Sequence, residues 1–250
     1  MPHSNFSKIE IDFFNQIKDD LTVIFDVGSR DDIDYIKNSY DRSREFHLFD
    51  PDPKFILSSE DQINNLEESS EVNNGIYLNA FGLGKEDGIM AYYPNTQSFV
   101  FRTHHARSYN EGISFPIKTL DGYCNDKNVN NIDFLKVDIE GMELDFLMGG
   151  SKIINESTKI IQFEFASTLV DKGVDADDLF YWFDREIFDL YLQKVATEHP
   201  YHQYNDNMLT LLDEELYLKI KDYMLNAYGC NLVAIRKEHS ENIINKLKDF

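Results

Sequence analysis

Short apolar runs alternate along the chain with segments whose apolar residues recur at helical spacing. Ile9, Phe13, Phe14 and Ile17 predict a helix over about Phe6–Lys18. LTVIFDVGS follows, and its run into Asp26-Val27-Gly28 has the pattern of a buried strand entering a turn. Asp31–Tyr40 carries Ile33, Ile36 and Tyr40 at helical spacing, with Ser29 placed to cap it. REFHLFDPDP predicts a second strand, halted by Pro51 and Pro53. The polar stretch SSEDQINNLEESSEVNN predicts a frayed helix and a loop. GIYLNAFGLG then predicts a third strand, and GIMAYY a fourth outside the main parallel series.

The second half repeats the alternation. IDFLKVD predicts a strand, Gly141–Gly150 a helix and KIIQFEF another strand. Asp177–Asp184 predicts a helix with Leu179, Phe180 and Phe183 turned inward. Ile187–Val195 and Asn231–Arg236 predict a closing pair, with a helix around Glu214–Tyr228 between them. Such alternation implies an α/β fold, a mostly parallel sheet with helices on both faces. No internal repeat or Pro/Gly/Ser-rich linker divides the chain, so 1–250 reads as a single domain. Within it, 1–20 is an N-terminal helix and 196–229 an insertion between the last two strands.

Composition narrows the partners. The 250 residues carry 24 Lys+Arg against 45 Asp+Glu, a formal charge of −21. Nucleic-acid affinity rests on basic groups neutralising phosphates, so this field opposes it and favours a small-molecule or glycan acceptor. No apolar run is long enough to span a bilayer, and MPHSNFSKIEIDFF lacks the basic and apolar regions of a secretory signal. Cys124 and Cys230 are too few for a disulfide scaffold, and no spacing of histidines and carboxylates supports a metal site. The expected compartment is reducing and cytoplasmic. Oligomeric state is not legible.

Polar residues at strand ends carry the chemistry, because ligands of such sheets lie at the carboxyl ends of the strands. Gly28 removes a Cβ where a ligand needs backbone approach, or only serves the local turn. Asp26 is placed to bond the amino group of an amino-acid moiety or to orient the loop. Asp50 is placed to accept ribose hydroxyls, or only to open the Pro51 turn; its spacing of about twenty residues from Gly28 favours ribose. Phe81 would lie against an adenine. Lys136, Asp138, Glu140 and Glu143 punctuate an otherwise apolar segment. Burying them unpaired would cost several kcal/mol, so they form either an ion-pair network with capping carboxylates or an active-site edge.

That segment, KVDIEGMELDFLMGG, resembles the signature of the FkbM-type methyltransferases. TLDGYC at Thr119–Cys124, IIQFEF with Glu164, FDVGS and LFDPDP resemble further motifs of the same family, over roughly Val23–Phe165. The resemblance implies a Rossmann-like class I methyltransferase fold, with a mostly parallel seven-stranded sheet and a C-terminal antiparallel strand pair. It implies S-adenosylmethionine as donor and O-methylation of a sugar, glycan or small-molecule hydroxyl. The implied cofactor-binding set is Asp26, Gly28, Ser29, Asp50, Pro51, Ala80, Phe81 and Asp138. The family's first motif continues to a second glycine, whereas this chain has Ser29-Arg30-Asp31-Asp32. A non-catalytic copy of the fold therefore stays an alternative.

Transfer to a hydroxyl needs a base. Asp138 and Glu164, at the tips of adjacent strands, are the candidates, with Lys136 orienting Asp138. Glu140 would bond the acceptor or cap its helix. His104, beside His105 in FRTHHAR, is a further candidate base or a surface loop residue. Tyr201, His202 and Tyr204 would line a sugar site. An RNA 2′-O-methyltransferase is the other enzymatic alternative, from Lys136, Asp138 and Glu164 as part of a Lys-Asp-Lys-Glu set.

Overall fold

The structure, a computed structural model, describes residues 3–66, 75–94, 97–100, 112–165, 168–194, 207–224 and 229–247. In chain order, the first half runs α1 (His3–Ile17), β1 (Val23–Val27), α2 (Asp34–Ser39), β2 (Glu45–Phe49), α3 (Pro53–Leu66) and β3 (Ile76–Asn79). Next come β4 (Gly82–Leu83), β5 (Gly88–Tyr92), β6 (Ile113–Lys118), α4 (Leu120–Lys127) and β7 (Ile132–Val137). Then follow α5 (Glu143–Gly149), α6 (Ser151–Ser157), β8 (Thr158–Phe165), α7 (Thr168–Lys172), α8 (Ala176–Phe180) and β9 (Phe188–Gln193). β10 (Leu209–Leu211), α9 (Glu214–Met224), β11 (Cys230–Arg236) and α10 (Lys237–Leu247) complete the described chain.

The main sheet has eight strands in the order β10-β9-β11-β8-β7-β1-β2-β3. β3, β2, β1, β7 and β8 pair in parallel, and β11 runs antiparallel between β8 and β9. The seven strands from β3 to β9 have the expected Rossmann-like order with its antiparallel closing strands. The eighth, β10, adds an edge strand to them: it lies inside the stretch read as an insertion and pairs antiparallel with β9. Its three residues are too few to carry a readable alternation.

A second sheet, β4-β6-β5, stands apart from the first. β5 was expected outside the main series; β6 was not expected at all. Pro116 lies in β6, a residue that argues against a sheet interior because it cannot donate to the ladder. It is accommodated because short β4 pairs only with Ile117 and Lys118.

The two faces of the main sheet bury separate cores. Phe25, Val137 and Phe163 pack under α4, α5, α6, α8 and α9. Ile24, Phe134 and Ile160 pack under α1 and α2, where Phe13, Phe14 and Ile17 form the helical stripe expected of α1. Gly141–Gly150, expected as one helix, begins at Glu143 and is followed by α6 after a break at Gly150. Asp121 of α4 caps α6, accepting from the Lys152 and Ile153 amides at 3.0 and 2.9 Å. A Cβ on Gly149 would stand 1.9 Å from the Gly84 carbonyl oxygen, so α5 packs against the small sheet only with glycine there.

Candidate active site

The carboxyl ends of β1, β2 and β7 and the loop after β3 converge on a solvent-open cleft, with about 480 Å³ of free space when its open mouth is counted. Val27 and Gly28, at the end of β1, and Phe49, Asp50 and Pro51, at the end of β2, line it. Phe81 and Leu83 line it as well, with Asp138, Ile139, Glu140 and Met142 from the loop after β7. Tyr92, Ser98 and Phe99, from and beside the small sheet, contribute to the same lining. This is the switch point where strand order reverses about β1, the place where doubly wound sheets hold ligands.

Each loop at the cleft is held by several bonds. Gly28 has φ +84°, and a Cβ on it would meet the Asp138 carbonyl oxygen at 1.8 Å. Its glycine is thus required by the close approach of the two loops that follow β1 and β7. The Asp138 amide donates to Val27 O at 2.9 Å. Asp50 is buried, and its two carboxylate oxygens accept from the Asp52 and Arg30 amides at 2.8 and 3.2 Å. Burial outweighs those bonds and raises its pKa to about 6. Asp50 therefore opens the Pro51 turn and also lines the cleft; the two readings of this residue are compatible.

Beyond β7, Glu143 turns inward and is 1% exposed. It accepts from the Ile139 and Gly141 amides at 3.2 and 3.0 Å, and burial still raises its carboxyl to about 7. Ser98 Oγ donates to the Glu140 carbonyl at 2.7 Å. Across the cleft, Arg30 Nη2 donates to Glu140 Oε1 at 3.0 Å.

Beside the cleft, on the α1 face of the sheet, lies a polar layer. Lys136 Nζ is 3.3 Å from Asp138 Oδ2 and 4.0 Å from Asp26 Oδ1. Burial opposes the Lys136 ammonium, but Asp138 and Asp26 outweigh it and hold its pKa above the ordinary value. Asp26 is itself raised to about 7, by burial against the pull of Lys136, and its buried Oδ1 has no hydrogen-bond partner among the described residues. Glu164, half-buried at the end of β8, is raised by burial and then by the charges of Asp138, Glu140 and Glu143. Opposite it on β11, Asn231 donates to Glu10 Oε1 of α1 at 2.7 Å. Gln162 donates to Gln193 at 2.7 Å, and Gln193 to the Ile9 carbonyl at 3.2 Å.

The structure thus gathers Gly28, Asp50, Pro51, Phe81, Asp138 and Glu140 at one cleft. Lys136, Asp26 and Glu164 adjoin it in the polar layer rather than lining it. Ala80 is exposed and lies outside the cleft lining. Ser29 does not cap α2: it is buried and its Oγ donates to Phe49 O at 3.4 Å, while Asp32 Oδ1 takes the Asp34 amide at 2.8 Å. His104, His105, Tyr201, His202 and Tyr204 lie outside the described residues. Sequence reasoning missed Arg30, Tyr92, Ser98 and Glu10. For Arg30 a signal existed, a cation alone in an aspartate-rich turn.

Comparisons with known proteins bear on the family and the fold. The model of the methyltransferase FkbM domain matches residues 26–217. Among solved structures, the methyltransferase FkbM from Methylobacillus flagellatus KT superposes with a TM-score of 0.51 at 12% identity, over 86% of this chain. The chain spans 43% of that protein's length, and at this identity the likeness is one of fold. A Streptococcus mutans protein provisionally assigned as a methyltransferase, solved with SAH, gives 0.48 at 9% identity over 93% of this chain and 98% of its own. A Clostridium thermocellum protein provisionally assigned as an rRNA methylase gives 0.49 at 10%, over 93% and 96%. No curated protein matches the sequence. With the domain model spanning most of the chain, the chain belongs to the FkbM methyltransferase family.

Proposed function

We propose that this chain is an S-adenosylmethionine-dependent O-methyltransferase that acts on a hydroxyl of a sugar, glycan or other small molecule. The observation that carries the reading is the meeting of two features at one edge. One is a cleft with buried Asp50 at the β2 tip; the other is the carboxylate pair Asp138 and Glu164 at the tips of β7 and β8.

The residues present suit the cofactor. Asp50 lies where it would accept ribose hydroxyls on lone pairs its backbone donors leave open. Phe81, Tyr92 and Phe99 offer apolar and aromatic walls for an adenine. When bound, the cofactor supplies a methyl group on a sulfonium. The chain's own part is to hold the acceptor and take its proton. Asp138, oriented by Lys136 at 3.3 Å, and Glu164, whose pKa is raised by burial, are the groups for that proton. The surplus of carboxylates around one lysine suits a cationic cofactor. The charge of −21 favours an uncharged acceptor over a polynucleotide.

Two measurements test this reading. Calorimetry with S-adenosylhomocysteine is expected to show binding; none at millimolar ligand would favour the non-catalytic alternative. Methyl transfer from labelled S-adenosylmethionine to a panel of sugars and phenols is expected to depend on Asp138 or Glu164. Transfer confined to RNA, with salt-dependent affinity, would instead establish the 2′-O reading.

A further inference from the structure

The Arg30–Glu140 pair does more than hold two loops together. Arg30 has φ 52° and Glu140 φ 56°, left-handed backbone that non-glycine residues seldom adopt. Such conformations cost on the order of 1–3 kcal/mol each and persist only where the surroundings impose them. Here they are imposed from both sides. The Arg30 amide donates to Asp50 Oδ2 at 3.2 Å, and Ser59 Oγ donates to Arg30 O at 3.4 Å. Ser98 Oγ holds the Glu140 carbonyl, while Glu143 takes the amides on either side. The result is a cation and an anion on the loops after adjacent strands β1 and β7, both at the cleft and 3.0 Å apart.

The usual anion site on this side of such a sheet is the start of the helix after β1. In this chain Asp32 Oδ1 already takes the Asp34 amide, placing a carboxylate at that helix start. Among the described residues lining the cleft, Arg30 is the one lysine or arginine. Lys136 is engaged by Asp138 and Asp26 beside it.

We infer that Arg30 and Glu140 clamp the amino-acid end of the cofactor, Arg30 taking its α-carboxylate and Glu140 its α-ammonium. The clamp rests on the S-adenosylmethionine reading above and assigns the group that would replace the missing second glycine. The side chains are 44% and 21% exposed, and a partly exposed pair has little to lose on opening. A zwitterion inserted between them replaces one ion pair with two charge-assisted contacts, and the planar guanidinium matches a carboxylate bidentately. The amino-group role expected of Asp26 passes to Glu140, since Asp26 lies below the cleft beside Lys136.

Calorimetry of the whole chain with S-adenosylhomocysteine and with 5′-methylthioadenosine, which lacks the amino-acid end, tests the clamp. Arg30→Ala is expected to weaken S-adenosylhomocysteine by about 10- to 100-fold, and methylthioadenosine by no more than about twofold. Glu140→Gln, which keeps the side-chain shape, should show the same selectivity with a smaller loss. Arg30→Lys should fall between wild type and Arg30→Ala. Equal weakening of both ligands by Arg30→Ala would overturn the clamp and leave the pair as a loop tie, as would no weakening of either. If wild type binds methylthioadenosine but not S-adenosylhomocysteine, the clamp fails and the adenosine cleft stands. If it binds neither, the cofactor reading fails and takes the clamp with it.

Discussion

The two faces of the main sheet are built from the same strands and treat them differently. Towards α4–α6, α8 and α9, Phe25 and Val27 of β1, Leu135 and Val137 of β7, and Phe163 and Phe165 of β8 are all apolar. Towards α1, the same strands start apolar at Ile24, Phe134 and Ile160 and then turn polar at Asp26, Lys136, Gln162 and Glu164. Strand alternation sends one residue in two to each face, so this polar set arises at one end of one face only. The first face stays apolar to the carboxyl ends of these strands, with Asp133 and Lys159 only at its amino end. The other face is apolar for half its length and polar for the rest, the part proposed above as the active-site edge.

Mutations on the two faces should therefore fail in different ways. The largest effect is expected from Asp138→Asn or Glu164→Gln, with turnover reduced about 10²- to 10⁴-fold and a melting midpoint moved by only a few degrees. An equal loss of stability, with turnover tracking the folded fraction, would make the polar layer structural and erase the distinction. Phe163→Ala, on the apolar face, should cost about 3–5 kcal/mol, a fall in midpoint of roughly 10 °C or more, while the surviving folded protein binds S-adenosylhomocysteine as before.

A smaller effect concerns pH. Burial raises Asp26 and Glu143 to about 7 and Asp50 to about 6 in the folded chain. Between about pH 4 and 7 the native state thus keeps protons that the unfolded chain has released. The stability these groups contribute is complete below the unfolded carboxylate pKa and is lost as pH rises through 6 to 7. Melting midpoints should therefore decline from pH 5 to pH 8. Asp26→Asn should flatten the slope, raising the midpoint at pH 8 by a few degrees more than at pH 5; an unchanged slope would show that Asp26 is not the group responsible. The smallest change is expected from Asp121→Ala, which strips the cap of α6 for about 1 kcal/mol, or 2–4 °C, with cofactor affinity intact.

Much of this frame was legible in the chain. The runs into Val27, Phe49 and Val137 each ended a strand at the cleft, and the charges of the Lys136–Glu140 segment marked its edge. Other parts left weaker traces. β6 was hidden by Pro116, and β10 by its brevity. Ser29 looked like a cap because a serine before a helical stripe usually is one. The turn instead runs on to Asp32, and Ser29 is drawn to the β2 carbonyl of Phe49. Glu143 read as a helix-start anion, and only its three bonds to loop amides reveal a residue that shapes the turn.

By itself the amino-acid order determined the strand–helix alternation, the side of each strand that faces each core and the end of the sheet at which the charges gather. These follow from local periodicity, which neighbouring residues carry among themselves. The tertiary structure decided that Gly28 answers to Asp138, that Glu10 reaches over the polar layer, and that Arg30 meets Glu140 across 110 residues of chain. Burial and long-range approach are properties of packed elements, and so are the raised carboxyls of Asp26, Asp50 and Glu143, which burial creates first and neighbouring carboxylates reinforce.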